Sequence, residues 1–98
     1  MNQITKEKII KSIEESDMYS RAQIKILKEM ILVSNDYLVT ISPKYLHTKV
    51  DVSIPAIYTA LKNLQSNNTI TKIPNVKNTY EFNKENIEYI LKINSNKN

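Results

Sequence analysis

Few side chains in this sequence could catalyse a reaction or hold a metal ion. There is no cysteine, and the single histidine is His47. Thiolate chemistry is therefore excluded, and a lone imidazole lacks the second group that a metal site or a general base requires. The carboxylates of Glu14, Glu15, Asp17 and Asp36 lie among lysines, and no pair stands beside a nucleophile. We therefore expect no catalytic residue, no metal site, no cofactor and no enzymatic activity.

A second set of side chains recurs with helical spacing between residues 53 and 66. At about 100° per residue, five apolar positions share one face; they are Ile54, Ile57, Ala60, Leu61 and Leu64. The opposite face carries an amide, a hydroxyl, an ammonium group and small apolar groups. Groups of these kinds contact the base edges and the phosphates of nucleic acid. If this helix lies in the major groove of double-stranded DNA, the residues that would contact the DNA are Ser53, Pro55, Ala56, Tyr58, Thr59, Lys62 and Asn63.

Three serines mark the helices that must position this face. Each can accept the first free amides of a helix, while apolar residues before and after it pack together. Ser20 is followed by Gln23, which completes a capping box, and Ser42 is followed by Pro43, whose fixed φ suits a first helical position. Ser53 caps the helix that carries the polar face. These caps predict helices that begin after residues 20, 42 and 53.

The remaining segments complete an α+β order that is mainly helical. Isoleucine stripes predict amphipathic helices over 5–16 and 20–34, and Asn83 caps a last helix over 83–94. Residues 37–41 read as an edge strand, and 69–73 and 79–82 as the strands of a hairpin whose tip is 74–78. The predicted chain is one domain over 1–98, with an N-terminal helix in 1–18, a core in 20–82 and a C-terminal helix.

The net charge is concentrated in one part of the chain. The formal net charge is +4, and the segments 1–41 and 81–98 are each electrically neutral. Residues 42–80 hold five lysines against Asp51 alone. Besides Lys62, we expect four of these lysines and one asparagine to contact the backbone or an adjacent groove of DNA; they are Lys44, Lys49, Lys72, Lys77 and Asn78.

The segment 46–64 resembles the core of bacterial winged helix-turn-helix regulators. A leucine precedes a short turn, Val-Ser-x-Pro-x-Ile-Tyr opens the second helix over 52–58, and Leu-Lys-x-Leu closes it over 61–64. The segments 69–74 and 79–82 are similar to the two strands of the wing. The resemblance implies a winged-helix fold with additional N- and C-terminal helices, and a recognition helix over 54–66 in the major groove of DNA.

Two residue types are conspicuously scarce. The chain has no glycine, although winged helices commonly place one after the recognition helix and another at the wing tip. Asparagine tolerates positive φ next best, so Asn67–Asn68 and Asn75 or Asn78 are expected to take these positions. The single arginine, Arg21, lies outside the motif. Because the commonest guanine contact needs arginine, we expect an A·T-rich site.

The apolar faces of the two terminal helices can be buried in either of two ways. In similar regulators such helices pair between subunits, and a chain this short gains from sharing its apolar faces. We therefore expect a homodimer whose interface contains Ile9, Ile10, Ile13, Ile87, Ile90 and Leu91. The alternative is that these side chains pack on the core of their own subunit.

Three functions compete on this sequence. The favoured one is a dimeric, DNA-binding transcriptional regulator, and a close variant is a plasmid or phage partition adaptor or replication accessory protein with a partner protein. A protein–protein adaptor without DNA binding is the alternative of another class. The longest aliphatic run is four residues, over 30–33, so we expect no membrane association and a cytoplasmic location.

Overall fold

The computed structural model describes residues 1–95, and residues 96–98 of the predicted single domain lie outside this range. Within it the chain forms five helices and a three-stranded sheet. The helices are α1 (Gln3–Glu15), α2 (Arg21–Val33), α3 (Pro43–Lys49), α4 (Ile54–Ser66) and α5 (Lys84–Ser95). The strands are β1 (Leu38–Thr40), β2 (Ile70–Lys72) and β3 (Thr79–Phe82). The predicted element order and the mainly α-helical α+β class are confirmed.

The serine caps act as the sequence predicts. The side chains of Ser20, Ser42 and Ser53 each accept a hydrogen bond from the amide three residues ahead, over 3.2, 3.0 and 3.3 Å. The amide of Ser20 donates a hydrogen bond to the side-chain oxygen of Gln23, which completes the capping box. The prediction for α1 was two residues late, because Asn2 caps this helix through the amide of Thr5.

The sheet is antiparallel, and β3 lies at its centre between β1 and β2. Tyr80 stands opposite Val39 on one side and opposite Lys72 on the other. Alternate side chains of β3 therefore face the helices, and Tyr80 and Phe82 on that face are buried. The hairpin β2–β3 is the wing that the sequence predicts.

One core joins all five helices to the sheet. α2 packs against α1, α3 and α4, and α5 packs against α1. The largest fully buried side chains come from α1, α2, α3, α4 and the wing strands; among them are Ile9, Met30, Leu46, Leu64, Ile70 and Phe82. The back of α4 is thereby held on the core while its front faces outward.

The terminal helices correct the predicted dimer contact. Ile9 and Ile13 are 1% and 2% exposed, and Ile87 and Ile90 are 5% and 3% exposed. Ile10 and Leu91 are partly buried against the same core. Because α1 and α5 pack on each other within one chain, Ile9, Ile13, Ile87 and Ile90 are already covered, whereas Ile10 and Leu91 keep part of their surface exposed.

The absence of glycine is accommodated by three asparagines and one aspartate. Asn68, Asn75 and Asn78 have φ of 63°, 64° and 54°. Of the predicted pair Asn67–Asn68, it is Asn68 that takes the left-handed position after α4, since the φ of Asn67 is −92°. Asp36 also has a positive φ of 59°, in the turn before β1, which the sequence did not reveal.

Candidate nucleic-acid interface

The turn between α3 and α4 orients the outward face of α4. Val50 and Val52 are half-buried beneath it, and Asp51 is exposed. His47, which the sequence placed on the surface without a chemical role, is exposed, and its Nδ1 lies 3.0 Å from the carbonyl oxygen of Val52. This hydrogen bond ties the end of α3 to the start of α4. The imidazole therefore has a bracing role that the sequence pattern did not show.

The outward face of α4 presents the residues expected there. Ile57, Ala60, Leu61 and Leu64 are buried beneath the helix. Ala56 is half-buried, and the other six predicted contacts are exposed; they are Ser53, Pro55, Tyr58, Thr59, Lys62 and Asn63. The one error concerns Ile54, which was assigned to the core face but is 40% exposed because the first turn of α4 projects beyond the core.

One flank of this face meets α2. A shallow groove is lined by Ser20, Ala22 and Gln23 from the start of α2, and by Ala56, Thr59, Ala60 and Asn63 from α4. The groove contains no acidic side chain, so a phosphate near it would meet no repelling charge. The sequence did not indicate that the first turn of α2 would lie beside these residues, because their separation along the chain is more than 30 positions.

The other flank of the face meets the wing. Tyr58 is 60% exposed on α4, whereas Tyr80 on β3 is buried. The pKa of Tyr80 is raised, first because burial disfavours the phenolate and second because Tyr58 would repel its charge. α4 contacts β2, so the wing lies beside this flank of the helix.

The five lysines of segment 42–80 are all exposed, and none forms an ion pair within residues 1–95. Lys44 lies in the first turn of α3, Lys62 lies on α4, and Lys72 and Lys77 lie on the wing. Lys49 differs from them. Its Nζ lies 5.7 Å from the centre of the Tyr45 ring, and it shares a depression with two acids, Glu29 and Asp51, and two other lysines, Lys25 and Lys28.

The wing tip uses Asn78 to hold its shape. The amide of Ile41 donates to the carbonyl oxygen of Asn78 over 2.8 Å, and Asn78 itself is half-buried with positive φ. Lys77 and Val76 beside it are exposed. Asn78 therefore fixes the turn that presents Lys77, and of the two it is Lys77 whose side chain is the more open to a partner.

Within the described residues, no three histidine, cysteine or acidic side chains converge as metal ligands would. A search of the helices in the same residues finds none long and apolar enough to cross a membrane.

The fold has a counterpart among solved structures. No protein-family model and no curated protein sequence matches the chain. The structure of TrmBL2, an archaeal chromatin protein described as showing a novel mode of DNA binding, is similar with a TM-score of 0.61. This chain has a winged-helix fold. The sequence identity is 14%, and the match covers 92% of this chain but 33% of the TrmBL2 chain, so the likeness concerns the fold alone.

Proposed function

We propose that the protein binds double-stranded DNA and acts without catalysing a reaction. α4 enters the major groove, and the wing contacts the backbone or the adjacent minor groove. The observation that carries this proposal is the outward face of α4, where Thr59, Lys62 and Asn63 are exposed and their side chains have no hydrogen-bond partner among the described residues. Unpaired donors and acceptors on a rigid helix suit the edges of base pairs.

Charge supports the same assignment. All five lysines of the basic segment are exposed and free of ion pairs within the described chain. A lysine that neutralises a phosphate releases a condensed counterion, so binding weakens as salt rises. The similarity in fold to a chromatin protein that binds DNA is in keeping with this proposal.

We propose that this DNA binding serves transcriptional regulation at A·T-rich sites. Asn63 has the amide geometry to pair with adenine, and Ala56 and Thr59 can contact thymine methyl groups. Arginine is absent from α4 and from the wing. Selection from random duplexes is expected to return A·T-rich sites, and G·C-rich half-sites would overturn this part of the proposal. Clustered repeats instead of one palindrome would favour a partition or replication role.

A salt titration of DNA binding tests the central proposal. Fluorescence anisotropy of a labelled duplex is expected to give a log–log slope of about −4 to −5 for the wild type. Lys62→Met is expected to weaken binding and reduce the slope by about one unit, because one phosphate contact is lost. Lys8→Met is the matched control, since Lys8 is an exposed lysine on α1 outside the basic segment.

Two results would contradict the proposal. If the affinity of the wild type for DNA did not change with salt, the lysines would not be contacting phosphates. Equal binding by Lys62→Met, Lys72→Met and the wild type would place the DNA contact outside α4 and the wing.

A further inference from the structure

The single imidazole of the chain is held in one orientation at the turn between α3 and α4. His47 lies in the last turn of α3, and its Nδ1 is 3.0 Å from the carbonyl oxygen of Val52, the residue before the serine that caps α4. A carbonyl oxygen only accepts hydrogen bonds, so Nδ1 carries a hydrogen and donates it. The other ring nitrogen, Nε2, is therefore the atom that gains or loses a proton.

A proton gained at Nε2 leaves the contact with Val52 in place. The neutral ring and the charged ring both bear a hydrogen on Nδ1, so the turn keeps its brace in either form. His47 is exposed, and its Nε2 has no hydrogen-bond partner among residues 1–95. The proton therefore adds one positive charge to the surface without breaking a contact of the described residues.

The charged groups on the elements around His47 are mostly positive. α3 packs against α2 and α4, and the acids of these helices and of the turn are Glu29 and Asp51. Both acids lie in one depression with Lys25, Lys28 and Lys49, and within residues 1–95 neither forms an ion pair with His47. The other charged or titratable residues of these elements are Arg21, Lys44, Tyr45, Tyr58 and Lys62. A charge gained at His47 is therefore available to an anion outside the described chain.

We propose that DNA binding is coupled to proton uptake at His47, so that the affinity of the protein for DNA rises as the pH falls from about 8 to about 5.5. The inference rests on the proposed DNA binding. Imidazole ordinarily gains its proton within this range. Lys44 precedes His47 by three residues on α3, so both lie on the same side of that helix. A DNA strand that reaches Lys44 therefore also attracts a positive charge on His47, and binding favours the protonated ring.

Salt titrations of DNA binding at about pH 8 and about pH 5.5 test this coupling in the wild type. Fluorescence anisotropy with an A·T-rich duplex at low salt is expected to show an affinity about threefold to fivefold higher at the lower pH, the effect of one exposed ion pair. The log–log salt slope is expected to be steeper by about 0.9 there, because one more phosphate is neutralised. An affinity or a slope that is the same at both pH values would overturn the inference while DNA binding stands. If the wild type binds duplexes at neither pH, the proposed function fails and the inference with it.

Two variants assign the effect to position 47. His47→Gln keeps an amide that can donate to Val52 and is neutral at both pH values. Its affinity is expected to match that of the wild type at about pH 8 and not to rise at about pH 5.5. His47→Lys is positively charged at both pH values, so it is expected to bind with the higher affinity throughout. If His47→Gln gains as much affinity on acidification as the wild type, the proton is bound elsewhere and the inference fails.

Urea unfolding at the same two pH values separates this charge effect from a change in the fold. Because Nδ1 donates to Val52 in both forms of the ring, the wild type and His47→Gln are expected to respond alike to acidification. A wild type that loses stability at about pH 5.5 while His47→Gln does not would show that the proton breaks the brace, and the inference would fail. If His47→Gln does not fold, the salt slopes of the wild type alone decide the question.

Discussion

At the scale of single residues, the two buried tyrosines have different surroundings. The hydroxyl of Tyr19 lies 2.9 Å from that of Thr69 and donates to Asn86 over 3.1 Å. These contacts join the turn after α1 to the base of the wing and to α5. The sequence predicted only that the apolar residues before and after Ser20 pack together, because such a contact acts locally, whereas the distant partners of Tyr19 leave no pattern in the chain.

Tyr19→Phe is expected to lower the free energy of unfolding by about 1–2 kcal/mol, because Thr69 and Asn86 lose a partner. The effect should depend on pH. Burial raises the pKa of Tyr19 above its ordinary value of 10.0, and the hydrogen bond to Thr69 offsets part of this rise. Above pH 10.0 the folded chain keeps a proton that the unfolded chain has lost. The stability that this proton contributes is therefore complete below the unfolded pKa of 10.0 and is lost as the pH rises through the folded pKa.

Urea unfolding at neutral and alkaline pH measures this effect. The wild type should lose more stability than Tyr19→Phe on going from neutral to alkaline pH, since the substituted ring cannot ionise. An equal loss in both proteins would contradict the assignment of the alkaline effect to Tyr19.

At the scale of the elements, the ends of the helices are held in two ways. The N-termini of α2, α3 and α4 are capped by the serine just before each of them. The C-terminus of α2 is capped from a distance, because Nζ of Lys6 on α1 donates to the carbonyl oxygens of Leu32 and Ser34 over 3.2 and 2.9 Å. A positive group at the C-terminal end of a helix also interacts favourably with the helix dipole.

Lys6→Met is expected to reduce the free energy of unfolding by about 1 kcal/mol, because two carbonyl groups at the end of α2 lose a charged donor. Lys8→Met is the control, since Lys8 is exposed on the same helix and makes no such contact within residues 1–95. Urea denaturation of both variants measures the difference. An equal stability of the two variants would show that Lys6 does not stabilise the end of α2.

At the scale of the whole molecule, α1 and α5 complete the core of a single chain. Their isoleucines are buried against each other and against the winged helix. The sequence argument for a dimer assumed that a chain of 98 residues would gain most by sharing these faces. The tertiary structure shows that the winged helix itself offers a surface that covers them.

Ile87→Ala is expected to lower the free energy of unfolding by about 2–4 kcal/mol, because it leaves a cavity where a 5% exposed side chain was packed. The unfolding midpoints of the variant and of the wild type are expected to be independent of protein concentration. A dimer held together by these residues would instead unfold at higher denaturant as the concentration rises. Such a rise in the wild type, lost in Ile87→Ala, would restore the predicted interface.

The sequence by itself determined the elements, the register of α4 and the segment that carries the net charge. These features depend on signals that act within a few residues, such as the caps at Ser42 and Ser53, the spacing from Ile57 to Leu64 and the asparagines that replace glycine. Only the tertiary structure decided which faces meet. It placed α1 on α5 and brought Gln23 and Asn63 into one groove, because contacts between distant segments depend on the shape of the whole core and leave no periodicity in the chain.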